Sequence, residues 1–336
     1  MTDRSGNDFR PTAPWKNLRL RAELLRRLRE FFHTHGFLEV ETPILSADTV
    51  VDRHLDPFWL GDCRDSRSSP PGTPKMGMSP LLWLQTSPEF AMKRLLAAGA
   101  EAIYQVSRVF RQDECGRLHN PEFTLVEWYR THDGLAEGMQ FTSDLCADLL
   151  HRGPAQRISY REAFQRHAGL DPHTASIEAL VAAGQQCGSP PESLSPADRD
   201  GWLDWLLTER VQPHLGVGPP ALIYDYPASQ AALARIRPDD PPVAERFELY
   251  IDGVELANGY HELLDAEELR RRNAATNAQR VADGKQPLPV ESRLLAAMVA
   301  GMPPATGVAM GFDRLVMAAA GAASLAEVIA FPIDRA

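Results

Sequence analysis

Apolar residues recur at helical spacing over residues 15–35, where Leu20, Leu24, Leu25, Leu28, Phe31 and Phe32 fall on one side. Gly36 is placed to stop that helix. The period then changes to two. GFLEVETPIL, residues 36–45, alternates like a strand up to Pro43, which cannot continue a central strand. Residues 62–80 are rich in Pro, Gly and Ser and read as a loop or lid; residues 81–85 read as a strand. TSPEF opens a helix, with Ser87 suited to the N-cap, Pro88 to the first helical position and Glu89 to the first turn. Two runs rich in β-branched and aromatic residues, 103–111 and 123–129, flank a polar turn-forming loop and predict paired strands. Helices follow at 134–152 and 159–168. Residues 176–217 read as a Pro-broken helical insertion on the surface, and 221–226 as a strand ending at Pro227. Asp252-Gly253 is a strong two-residue hairpin turn. Residues 306–317 read as a small-residue strand entering a helix, and 315–331 as a buried helix with a strand after it.

Composition narrows the class. The 336 residues are 44% hydrophobic, enough for one large domain or two modest ones. A net charge of −10 argues against a broad grip on nucleic-acid phosphates. Four scattered cysteines with no C-x-x-C pair read as reduced thiols of a cytoplasmic protein. Residues 1–14 read as a flexible polar leader without a signal peptide. Gly321, Ser324 and Glu327 interrupt the most apolar stretch, so no membrane span is expected. The arginines of the first helix, Arg19, Arg26, Arg27 and Arg29, fit a basic face or an ordinary surface helix with its own acids, Glu23 and Glu30. There is no G-x-x-x-x-G-K phosphate loop and no H-E-x-x-H.

Two stretches carry candidate chemistry. In FRQDECGRLHNPEFTLVEWY, residues 110–129, Arg111 leaves the first strand, Arg117 and His119 lie in the loop, and Phe123 opens the return strand. Guanidinium groups take phosphate through paired donors and an aromatic face stacks a base. A nucleotide with several phosphates fits; so does an ordinary charged hairpin. In residues 245–263, a two-residue turn at Asp252-Gly253 sets Tyr250 opposite Glu255 and Glu248 opposite Ala257. Glu248 and Glu255 then share a face as diagonal neighbours, roughly 7–8 Å apart. Such a pair repels unless one is protonated or a cation intervenes. Mg²⁺ among phosphate oxygens suits it, and so do two solvated surface acids.

Residues 110–129, with HNPEFT at 119–124, resemble the second signature motif of class II aminoacyl-tRNA synthetases in its lysyl form. Residues 36–45 resemble the first motif, and TGVAMGFDRLVM, 306–317, the third, Gly-x-x-x-Gly-x-Asp-Arg. The likeness runs from about residue 15 to 336. It implies an α+β class II catalytic core, 15–336, with an antiparallel sheet flanked by helices. It implies ATP as substrate and Mg²⁺ held by Glu248 and Glu255. Arg111, Gln112, Asp113, His119, Asn120, Phe123, Glu255, Leu256, Gly311 and Arg314 are then the ATP-binding and catalytic set, with Phe123 stacking adenine opposite Arg314. The amino-acid pocket is Ser87, Pro88, Glu89, Glu127, Tyr129, Asn258, Glu262 and Ala309. Asp113 departs from the family, which usually has Glu there, and Ala309 stands where lysyl-tRNA synthetases have Gly. The first motif begins at Gly36, leaving no room for the N-terminal anticodon-binding barrel of those enzymes. HNPEFTLVEWYR and SLAEVIAFPIDRA are close to the truncated paralogues of the family that attach (R)-β-lysine to a lysine of translation elongation factor P. Residues 36–45 imply a homodimer, and two-fold dimers are also the commonest oligomers. The expected reaction is activation of β-lysine or lysine as an adenylate and transfer to that protein's ε-amine, with tRNA not expected as acceptor. A minimal lysyl-tRNA synthetase and a non-catalytic paralogue binding amino acid or nucleotide are the competing readings.

Overall fold

The structure, a computed structural model, describes residues 9–60 and 82–336. The expected lid at 62–80, Leu81, and the first eight residues of the expected leader lie outside the described residues. The chain divides into two compact units, one formed by Met1–Thr131, Leu264–Pro303 and Gly311–Ala336, the other by His132–Leu263 and Pro304–Met310.

The first unit begins with α1 (Trp15–Thr34), whose Leu24, Leu28 and Phe32 are buried as its period requires. Each such side chain contributes about 1.5–3 kcal/mol on burial. Phe32 stacks on Tyr104 at 4.2 Å and meets Phe37 and Trp128 at 5.2 and 5.5 Å. Gly36, at φ +77°, turns the chain out of α1. The strand expected up to Pro43 is shorter: β1 is Leu38–Glu39, with both side chains exposed, and β2 is Leu45–Ser46. Next come β3 (Trp59–Leu60), β4 (Leu82–Leu84), α2 (Glu89–Ala97), β5 (Ala102–Phe110) and β6 (Glu122–Thr131). β1 runs parallel to β5, β5 pairs antiparallel with β6 along its whole length, and β4 lies between β2 and β3.

The second unit carries α3 (Leu135–Leu150), β7 (Gln156–Ser159), α4 (Tyr160–His167), α5 (Ile177–Gln185), α6 (Arg199–Leu206), β8 (Ala221–Pro227), β9 (Ile236–Arg237), β10 (Val243–Ile251) and β11 (Val254–His261). The stretch 176–217 is helical as expected, and its Leu180, Trp202, Leu203 and Leu206 pack with Tyr160, Phe164, Ile223 and Tyr226 in a buried cluster. The chain then adds α7 (Ala266–Ala282) and α8 (Arg293–Gly301) to the first unit, β12 (Ala305–Gly311) to the second, and α9 (Phe312–Ala320) to the first. In the second unit β12, β11, β10 and β8 pair antiparallel in that order, β7 joins β8 in parallel, and β9 pairs with β10. The fold is therefore α+β, a large open sheet flanked by helices and no closed barrel among the described residues.

After α9 there is one short 3₁₀ turn, Leu325–Glu327, in place of the expected strand.

Candidate functional site

The loop after β5 is fixed at both ends. Arg111 N–H donates to Pro121 O (2.9 Å), and Gly116 and His119 bridge inside it. Asp113 is held at φ +61°, a region that Asp tolerates better than most residues. Gln112 N–H donates to Asp56 O. Arg111 lies with its guanidinium carbon 4.9 Å from the Phe123 ring centroid and Nη1 3.5 Å from Glu114. Arg314, at the start of α9, donates from Nη2 to His119 Nε2 at 2.8 Å. An arginine only donates, so this ring nitrogen accepts and the imidazole proton sits on Nδ1. Burial, then the Arg314 charge, hold the His119 pKa below its ordinary value, so the ring is neutral at pH 7. Arg111, His119, Phe123 and Arg314 are thus brought together within the first unit, with a neutral imidazole bonded to Arg314 and feeling the Arg111 charge.

Two loop residues tie the loop to the rest of the first unit. Arg117 donates to Ala323 O and so fastens the loop to the chain beyond α9. Asn120 is buried, gives its amide to Glu122 O and accepts Ile333 N–H at 2.9 Å, and so ties the loop to the C-terminal tail. Asp313, unremarked in the sequence except as part of its motif, accepts from Thr124 N–H (2.9 Å) and from Arg21 of α1. Arg21 also donates to Thr124 Oγ1. This clasp sets the first turn of α9 against β6 and so aims Arg314.

α2 starts one residue later than expected, with Pro88 at the N-cap and Glu89 as its first residue. Ser87, just before it, accepts Glu89 N–H on Oγ at 3.0 Å and donates to Glu127 Oε2 at 2.7 Å. Tyr129 donates to Glu127 Oε1 at 2.5 Å. Glu127 is 1% exposed. Burial, then the charge of Glu89, push its pKa up to about 7. Ser87, Pro88, Glu89, Glu127 and Tyr129 therefore form one buried acidic pocket. The sequence reading missed a member. Lys93, one helical turn after Glu89 and 2% exposed, places Nζ 2.5 Å from Glu89 Oε1. The signal was the i, i+4 Glu–Lys spacing, which usually marks a solvated helix face.

In the second unit the hairpin turn is as expected, with Asp252 and Gly253 both at positive φ. The register is not. Tyr250 faces Glu255, but Leu249 faces Ala257 and Glu248 faces Asn258, because Leu256 is an extra residue, a β-bulge. The expected pairing of Glu248 with Ala257 is corrected accordingly. Strand residues three apart normally face opposite sides; the bulge puts Glu255 and Asn258 on the face of Glu248. Ala309 of β12 lies directly across from Asn258 and shares that face.

Glu248 is 5% exposed and accepts from Tyr226 and Tyr250 hydroxyls on Oε2 (2.6 and 2.5 Å) and from Arg246 on Oε1 (2.5 Å). Burial, then Glu248, raise both tyrosine pKa values well above the ordinary range, so both hydroxyls stay donors. Arg246 also donates to Asn258 Oδ1 (3.2 Å), and Asn258 donates to the Tyr260 hydroxyl (3.1 Å). Glu255 is half-buried, and Leu256 and Glu262 are buried. Among the described residues no cluster of three or more His, Cys, Asp or Glu could cage a metal by itself. An ion here would take its remaining ligands from a bound phosphate chain or water. Hard carboxylate oxygens on one sheet face fit Mg²⁺ bound in that way. Three of roughly four acceptor positions on Glu248 are already used within the protein.

The motifs on this α+β fold define a class II synthetase core, and the chain belongs to that family: residues 7–335 match the tRNA synthetases class II (D, K and N). Within it, the chain is 47% identical over 328 residues to elongation factor P–(R)-β-lysine ligases of Salmonella paratyphi B, Salmonella schwarzengrund and Salmonella arizonae, covering 98% of each chain. Among the described residues no helix is long and apolar enough to cross a membrane.

Proposed function

We propose that this protein is an ATP-dependent ligase that activates (R)-β-lysine, or lysine, as an aminoacyl-adenylate and transfers it to the ε-amine of a lysine of translation elongation factor P. The observation that supports this most is the end-to-end likeness to relatives that bear that activity in their name, with 98% of both chains aligned. Arg111 is the residue for the α-phosphate, where charge builds as the substrate carboxylate attacks. Arg314 and neutral His119 suit the terminal phosphates, and Phe123 the adenine ring. Gln112, Asp113, Leu256 and Gly311 complete the nucleotide contacts by the same likeness. Mg²⁺, held by Glu255 and Glu248, would neutralise triphosphate charge when bound. The substrate's ammonium groups need buried acids, which Glu89, Glu127 and Glu262 supply, with Tyr129 and Asn258 as hydrogen-bonding partners. Ala309 adds a methyl group beside Asn258, and one methyl discriminates between substrates by about 1–3 kcal/mol.

No side chain acts as a covalent nucleophile in this scheme; catalysis is positioning and electrostatics. The acceptor amine, with a pKa of about 10.4, must lose a proton, which costs about 4.6 kcal/mol at pH 7. We place the protein in the cytoplasm, where elongation factor P acts, as a homodimer formed through residues 36–45. Leu38, Ile44 and Leu45 there are exposed at 64, 43 and 38%. The decisive experiment incubates the protein with ATP, labelled (R)-β-lysine and either elongation factor P or tRNA. Label on elongation factor P is expected. Label on tRNA alone would overturn the reading, and absence of pyrophosphate exchange with any amino acid would make the protein a binding paralogue.

A further inference from the structure

Burying Lys93 costs free energy. A lysine 2% exposed on the inner face of α2 gives up its hydration, and replacing a buried ion pair with apolar side chains is often neutral or stabilising. α2 also buries the apolar side chains Phe90, Met92 and Leu96. What Lys93 changes is electrical. Two buried carboxylates, Glu89 and Glu127, lie in one pocket, and the charge on one opposes the charge on the other. The ammonium of Lys93 contacts Glu89 and lies 6.0 Å from the Tyr129 ring, whose hydroxyl is bonded to Glu127. The groups facing Glu127 are Ser87 before α2, Glu89 and Lys93 on α2, Tyr129 on its own strand, and uncharged Gln105 directly across on β5.

We propose that Lys93 is a positioning residue that gives the two carboxylates different tasks: it keeps Glu89 in a permanent ion pair and leaves Glu127 as the group that exchanges a proton for the substrate's ammonium. Without an ammonium beside it, Glu127 holds a proton below neutrality. When an ammonium enters, that proton leaves to solvent and the pocket's charge stays balanced. This deepens the ligase reading, on which the identity of the ammonium rests.

The test is a carbon-13 NMR titration of the full-length protein with labelled glutamate carboxyls, assigned through Glu127→Gln and Glu89→Gln. In the wild-type protein Glu127 is expected to titrate near pH 7. (R)-β-lysine should lower that midpoint and release a proton. In Lys93→Met the Glu127 midpoint should rise by about 1–3 pH units. Lys93→Arg should restore the wild-type curve. An unchanged Glu127 curve in Lys93→Met, with only a lower melting temperature, would reduce Lys93 to a structural staple and overturn the proposal. So would a wild-type Glu127 carboxyl that shows no titration near neutrality, whether or not the variant folds. A wild-type protein that shows the expected curves but no β-lysine-dependent pyrophosphate exchange would instead refute the ligase reading and leave the role of Lys93 standing for another ammonium.

Discussion

Arg111 illustrates how a residue's place can be read from sequence while its company cannot. Its position at the end of β5 follows from the strand pattern; its contacts with the Phe123 face and Glu114 do not. Arg111→Ala should lower pyrophosphate exchange by about 10²–10³-fold, as loss of one preorganised donor to a developing charge does. Circular dichroism should stay unchanged; unaltered exchange would remove the assigned role. Glu127 carries a second expectation. Its folded pKa of about 7 lies above the ordinary 4.5, so the folded state binds the extra proton between those values. Stability is therefore fullest below pH 4.5 for this group and falls as pH rises through 7, a cost on the order of 3 kcal/mol. Glu127→Gln should raise the melting temperature at pH 8 but not at pH 5, while weakening amino-acid-dependent exchange. Equal shifts at both pH values would contradict the assignment.

At the level of elements, the strands flanking the loop at 111–121, the first helix and the hairpin turn were legible because a clear period or turn signal marked each. α7 was not, for a physical reason. Its buried face contains Asn273, Asn277 and Arg280 beside only Ala266 and Leu269, so no apolar period appears. Arg280 instead reaches the carbonyls of Asp52 and Leu55 and the Asp56 carboxylate, a role visible only once the chain is folded. The bulge at Leu256 was equally silent: one extra residue reverses which side chains share a face, and no local residue type announces it. Gly259 shows how tight that strand is. A Cβ there would sit 2.3 Å from the Phe247 ring. Gly259→Ala should cost about 1–3 kcal/mol in denaturant unfolding. Adding Phe247→Leu should recover part of the loss; failure to recover any would show that the clash lies elsewhere.

For the whole molecule, the acidic balance and the family likeness were both available before any coordinates, whereas the exposed apolar edge was not. Leu38 at the edge of the large sheet is 64% exposed, and Trp59 and Leu60 at the edge of the small one are 42 and 51% exposed. With β1 at the proposed two-fold contact, Leu38→Glu should shift the protein from dimer to monomer at micromolar concentration in sedimentation analysis. A wild-type protein already monomeric at that concentration would refute the dimer. The bond from Ile333 to Asn120 has a practical consequence. The last few residues are a tether for the loop at 111–121, so, if that loop holds ATP as proposed, trimming residues 332–336 should weaken ATP affinity in equilibrium binding without unfolding the chain, and a purification handle is better placed at the other terminus.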